Sequence, residues 1–211
     1  MRKRIARIRR RSRRRIEKWK QALGHRIDDE RRERAKRIRK LRKEHQEAGV
    51  AFAMFDSIDL DEIPKDAAAL AGYVNGFWPT YGELGRRFPE AKILSIAVTS
   101  SAAAECLDIE PGDATNADVP AWLEHKATVD KPVLYTFLSN AQPLIDYLEA
   151  RGIPRSSYRL WIAHWTGHAH ICGPSCGSGF DDVAEATQWT DKSGGRNLDE
   201  SLCSAKFLEH R

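Results

Sequence analysis

From residue 49 onward the chain alternates short apolar runs of strand length with segments of helical periodicity, and this alternation restricts the folds open to it. The runs 50–55, 73–75, 92–98, 105–110, 132–137, 159–164, 184–189 and 198–202 read as strands. Helices are expected over 64–70, 81–88, 118–127 and 141–150. Asp118 is placed to cap the third of these, Pro120 suits its first turn, and Gly152 stops the last. Strands joined by helices imply a parallel sheet, because a parallel neighbour is reached only by a crossover. Eight strands within residues 49–206 predict an α/β fold, a compact, irregular TIM-like β/α barrel. Barrels of that kind take ~250 residues, so helices should be reduced or missing, most of all near the C-terminal end. An open doubly wound sheet is the alternative. No Gly-rich phosphate loop follows the first strand, which argues against nucleotide binding there.

Charge separates the chain into two parts. Residues 1–46 hold 22 Lys/Arg against 6 Asp/Glu, a net +16, whereas the whole chain carries +5. The remainder is therefore acidic, with a net −11. Ile5, Ile8, Ile16, Trp19, Leu23 and Ile27 recur at helical spacing, Gly24 interrupts them, and Asp28, Asp29 and Glu30 suit a second helix start. Residues 1–48 are expected to form a basic helical arm with a thin apolar seam. Its charge suits an anionic partner: an anionic polymer, a lipid surface or nucleic acid. A solvated tail, or translation starting at Met54, is the alternative. No run approaches the ~20 apolar residues of a transmembrane helix. The basic N-terminus lacks the apolar core of a secretory signal, so the expectation is a chain made in the cytoplasm.

The stretch Leu107-Asp108-Ile109-Glu110-Pro111-Gly112-Asp113 carries the chemistry. Alternation along a strand puts Cys106, Asp108 and Glu110 on one face, the two carboxylates about 6.5 Å apart at the Cα atoms. Carboxyl pairs at about 5–9 Å suit glycosidic bond cleavage. An acidic strand-to-loop turn is the alternative. In a β/α barrel, catalytic groups sit at the C-terminal ends of strands. Asp56 ends the first expected strand, Asp108 and Glu110 the fourth, and Asp199 lies in the last. Tyr73, Trp78, Tyr135, Trp161, Trp165 and Trp189 accompany them, as sugar-stacking surfaces or as core.

Phe55-Asp56-Ser57, Asp108-Ile-Glu110, Arg159-Leu-Trp161-Ile-Ala163-His164-Trp165, Ala186-Thr-Gln188-Trp189-Thr190 and Leu198-Asp199-Glu-Ser201 follow one another in an order that resembles the family 25 glycoside hydrolases. These are the lysozyme-type muramidases of phages and bacteria. The likeness spans about residues 50–203. Ile58-Asp59-Leu60-Asp61 departs from the family's usual D-x-S-x-x-Q-G opening, which implies a divergent branch. The resemblance implies a peptidoglycan hydrolase that cuts the β-1,4 bond after N-acetylmuramic acid, acting on the cell wall once released or exported. It implies Glu110 as proton donor, with Asp108 and Asp199 orienting the substrate acetamido group or stabilising developing positive charge, and Asp56 binding sugar. Tyr73, Trp78, Tyr135, Trp161, His164, Gln188 and Trp189 would bind the glycan strand, with no metal and no organic cofactor. A non-catalytic sugar-binding barrel is the alternative.

A second cluster stands at His164-x3-His168-x-His170-x-Cys172-x3-Cys176. It could hold zinc, close a Cys172–Cys176 disulfide or remain as free thiols, and its spacing matches no common zinc pattern. The working expectation is that it holds no metal.

Overall fold

The computed structural model describes residues 51–209, together with Lys20, Gly24 and Arg32. The chain divides into two compact units, Met1–Lys43 and Glu44–Arg211. Lys20, Gly24 and Arg32 are helical and exposed; the rest of the expected two-piece helix lies outside the described residues. Among the described residues, no helix is long and apolar enough to cross a membrane.

Residues 51–209 form a closed eight-stranded barrel in which the strands follow one another in sequence order. They are β1 (Phe52–Asp56), β2 (Ala69–Tyr73), β3 (Lys92–Ala97), β4 (Cys106–Ile109), β5 (Val133–Phe137), β6 (Arg159–Ala163), β7 (Ala186–Thr190) and β8 (Asp199–Cys203). Neighbours from β1 through β7 pair in parallel. β8 runs antiparallel to both β7 and β1. The all-parallel expectation therefore fails at this one strand. The reversal also explains a missing helix: an antiparallel neighbour needs no crossover, and only a 3₁₀ turn at Ser193–Gly195 separates β7 from β8. The link from β6 to β7 has a 3₁₀ turn at Pro174–Cys176 and no α-helix.

Three α-helices lie among residues 51–209: Tyr81–Arg87, Val119–His125 and Leu138–Glu149. The expected helix over 64–70 is absent, and the strand expected over 73–75 ends at Tyr73. Ala67, Ala68 and Ala69 favour helix locally, but Ala69 to Gly72 is buried throughout and pairs with β3 along its length. Asp118 does precede its helix, yet its carboxylate turns back to accept from the Thr115 amide and hydroxyl, at 2.8 and 2.6 Å. The last helix starts at Leu138, immediately after β5, rather than at 141. It ends where Gly152 takes φ +76, a conformation that costs glycine little.

Strand alternation sorts the core into an inside and an outside. Inside stand Met54, Ala71, Leu94, Ile96, Cys106, Tyr135, Trp161 and Cys203. The Trp161 ring lies 4.5 Å from that of Tyr135 and 6.3 Å from that of Phe207. Phe207 and Leu208 are also buried, so the body runs past the expected boundary at 206. Lys92 donates to the Leu208 carbonyl and Arg159 to that of Phe207, which places this segment at the N-terminal ends of β3 and β6. Outside, Leu107, Ile109, Leu134 and Ile162 pack against Trp122, Leu144 and Leu148 of the two later helices. Leu70 packs with Leu84 of the first and with Phe88, which follows it.

Gly72 marks the tightest of these contacts. A Cβ built there would stand 2.4 Å from Leu84 Cδ1 and 3.2 Å from both Thr80 Oγ1 and the Tyr81 Cα. Gly72→Ala should therefore push the Tyr81–Arg87 helix off β2 and cost about 1–3 kcal/mol. A urea unfolding midpoint lowered against wild type is the expected reading.

Candidate active site

The barrel's upper mouth is acidic because three strand ends deliver four carboxylates to it. Asp56 is the last residue of β1, and its register partner across the sheet is Asp199, the first residue of β8. Asp199 thus reaches the mouth from the N-terminal end of a reversed strand, not from a C-terminal end as the barrel rule anticipates. Asp108 lies in β4, with Glu110 one residue beyond the strand and on the same face. Directly opposed like charges are unfavourable, and the pair relieves this by holding a proton. Burial, then the Asp199 charge and a hydrogen bond to it, raise the Asp56 carboxyl well above the usual range.

The other two carboxyls are pushed the same way. Burial raises Asp108 to about 8, with help from Glu110 and Asp113. Burial, then Asp113 and Asp199, raise Glu110. Asp108 Oδ1 and Asp56 Oδ2 are buried with no hydrogen-bond partner among the described residues. A buried carboxylate without donors is costly, so these groups favour the protonated form. Asp199 differs. It too is raised, first by burial and also by the Asp191 charge, while hydrogen bonds with Asp56 and Gln188 and the Lys192 charge act in the opposite sense. Gln188 Nε2 donates to Asp199 Oδ2 at 2.9 Å. All four carboxyls are thus pushed toward the protonated form, and Asp199 is set apart by the hydrogen bond it accepts from Gln188.

Gln188 is held in that orientation by its other end. Its Oε1 accepts from the Tyr135 hydroxyl and from Trp165 Nε1, each at 2.8 Å. Both donors can only point at the carbonyl side of the amide, so Nε2 is left to face Asp199. Tyr73 closes the ring. Burial raises its hydroxyl, and the charges of Asp56, Asp108, Asp199 and Glu110 raise it further.

The remaining expected residues have varied places. Trp161 is buried in the barrel interior, where its Nε1 donates to Ser201 Oγ at 3.0 Å. Trp189 is half-buried at a bulge in β7, where the register with β8 shifts between Gln188 and Thr190. Trp78 is exposed on the loop after β2, beside the almost fully exposed Phe77. His164 follows β6, its amide donating to the Gln188 carbonyl, while its ring Nδ1 faces His170 Nε2 at 3.1 Å. Exposed Ile58, Phe77, Trp78 and Trp165 all lie on loops that leave the mouth-side ends of strands.

No protein-family model, curated protein or solved structure matches this chain. The site has to be read from its own residues. Two of these escape the sequence reading as members of the site. Asp113 belongs to the acidic cluster through its effect on Asp108 and Glu110; a carboxylate three residues beyond Glu110, after Pro-Gly, was the available signal. Trp165 is a hydrogen-bond donor to the Gln188 switch point rather than one aromatic among several, and no local pattern announces that. A separate groove, lined by Pro120, Leu123, Glu124, Pro132 and Ile153, lies near the N-terminal ends of the strands. It has none of the convergent carboxyls.

Proposed function

We propose that the barrel is a divergent, irregular TIM-like glycoside hydrolase that cleaves the β-1,4 bond after N-acetylmuramic acid in peptidoglycan. The observation that carries this reading is the convergence of Asp56, Asp108, Glu110 and Asp199 on one mouth, where a protonated and an ionised carboxyl can stand side by side. Hydrolysis of a glycoside needs both states at once. Glu110, raised yet only half-buried, gives its proton to the leaving glycosidic oxygen as the C1–O bond breaks. The carboxylate of Asp199, which accepts a hydrogen bond from Gln188 Nε2, stabilises the positive charge that develops on the sugar. Asp108, protonated below about pH 8, hydrogen-bonds the substrate acetamido group. Water then adds at C1, and Glu110 recovers its proton from that water. The exposed aromatics around the mouth offer flat apolar faces to successive sugar rings. The chemistry requires no cofactor.

Purified peptidoglycan in suspension tests the reading. Loss of turbidity on adding the protein is the expected result. Binding to the sacculi with no loss of turbidity favours a sugar-binding barrel without catalysis.

The basic arm adds attraction in this scheme, not chemistry. Residues 1–46 carry a net +16, and attraction between exposed charges is screened over about 8 Å at physiological salt. Deleting residues 1–48 should leave soluble glycan cleavage and the melting temperature unchanged. It should weaken pelleting with whole walls or anionic vesicles, and the loss should be largest at low salt. Equal, salt-independent pelleting by both proteins would make the arm a passive tail.

A further inference from the structure

The connection from β6 to β7 covers residues 164–185 without an α-helix, and it gathers four soft donors in one place. His164, His170, Cys172 and Cys176 bring their ligand atoms within 4.8 Å of one another. His164 Nδ1 lies 3.1 Å from His170 Nε2 and 3.3 Å from Cys172 Sγ, and His170 Nε2 lies 3.5 Å from Cys172 Sγ. In a tetrahedral site with Zn–N near 2.0–2.1 Å and Zn–S near 2.3 Å, adjacent nitrogens stand about 3.3 Å apart and nitrogen and sulfur about 3.6 Å. The observed separations match those edges. All four cysteines are free thiols, so both sulfurs are open to a metal.

The surroundings orient the ligands. His170 Nδ1 lies 2.8 Å from the His168 carbonyl. Only an N–H can face a carbonyl, so Nδ1 carries the proton and Nε2 points its lone pair into the cluster. A ligating imidazole is commonly fixed in this way. The Cys172 amide donates to Thr187 Oγ1 of β7 at 2.7 Å, tying the buried cysteine to the sheet. His168, which belongs to the sequence cluster, contributes its carbonyl and not its ring.

We propose that His164, His170, Cys172 and Cys176 form a closed Cys2His2 structural zinc site that staples the β6–β7 connection to the barrel. This departs from the expectation of no metal that the sequence spacing gave. The staple has a consequence at the mouth, since Trp165 adjoins His164 and holds Gln188 through its indole N–H. The site itself does not depend on the carboxylates being catalytic.

The test is metal analysis of the full-length protein purified without chelator, followed by cobalt(II) exchange. About one zinc per chain is expected, with a cobalt form showing thiolate-to-metal charge transfer and the intense visible bands of a tetrahedral site. Cys176→Ser and His170→Gln, at half-buried positions, should each weaken zinc binding by at least about 10–100-fold, no less than losing an outer-shell partner costs. Wild-type protein that holds no zinc after incubation with excess zinc and gel filtration would overturn the proposal. So would a Cys172–Cys176 disulfide mapped in freshly isolated protein, or undiminished zinc in both variants. Should a variant fail to fold, the wild-type zinc content and cobalt spectrum decide alone.

Discussion

Glu110→Gln should lower the rate of glycan cleavage by about 10²–10⁴-fold, the usual share of general acid catalysis. The amide keeps the shape of the side chain and cannot donate an acidic proton. The same substitution removes one member of a crowded acidic cluster in which Asp113 and Asp199 both press on Glu110. Its melting temperature should therefore equal or exceed that of wild type. Loss of activity with retained or improved stability is a pairing that a misfolded variant does not give. Wild-type rates in this variant would take the proton donor's role away from Glu110.

Asp108→Asn should have the largest effect on stability. The folded carboxyl is raised to about 8 from the 3.8 of an unperturbed aspartate. A group whose folded value is raised binds its proton more tightly in the folded chain. Its contribution is intact below the unfolded value and is lost as pH rises through the folded one. Each unit of such a shift corresponds to about 1.4 kcal/mol. The wild-type barrel should thus lose several kcal/mol, to order of magnitude, between about pH 4 and pH 8. Asparagine carries no proton to lose, so the variant should be markedly more stable than wild type at pH 8 and differ little near pH 4. Some slope should remain, because Asp56 and Glu110 are raised as well. Urea midpoints across that range check the expectation, and parallel curves for the two proteins would contradict it. Cleavage by the variant should be strongly reduced.

Most strands were legible because a buried strand reads as an apolar run bounded by turn residues. β3, β5 and β6 are of this kind, and their ends fall within a residue or two of expectation. β2 was not, because Ala67, Ala68 and Ala69 carry a helical preference, and it is pairing with β3 that makes the chain strand from Ala69 onward. The direction of β8 is not written in its own residues. Leu198 to Cys203 would look the same running either way, and the reversal follows from closing the sheet between β7 and β1. That reversal is why Asp199 faces Asp56 across one register pair. The parity of Asp108 and Glu110 needed nothing beyond strand geometry. The Gln188 hub needed everything, since Tyr135, Trp165 and Asp199 come from three other parts of the chain. The His/Cys cluster lies between these extremes: its members were visible, but its geometry depends on how residues 164–185 fold back on β7.

The acidic mouth should break one particular glycosidic bond. Purified peptidoglycan digested with the protein, reduced with borohydride and analysed by mass spectrometry tests it most directly. Soluble fragments whose newly formed reducing ends are N-acetylmuramic acid should be released by wild type and not by Glu110→Gln. Fragments ending in N-acetylglucosamine, cleavage of peptide bonds in place of glycosidic ones, or no new ends at all would contradict it.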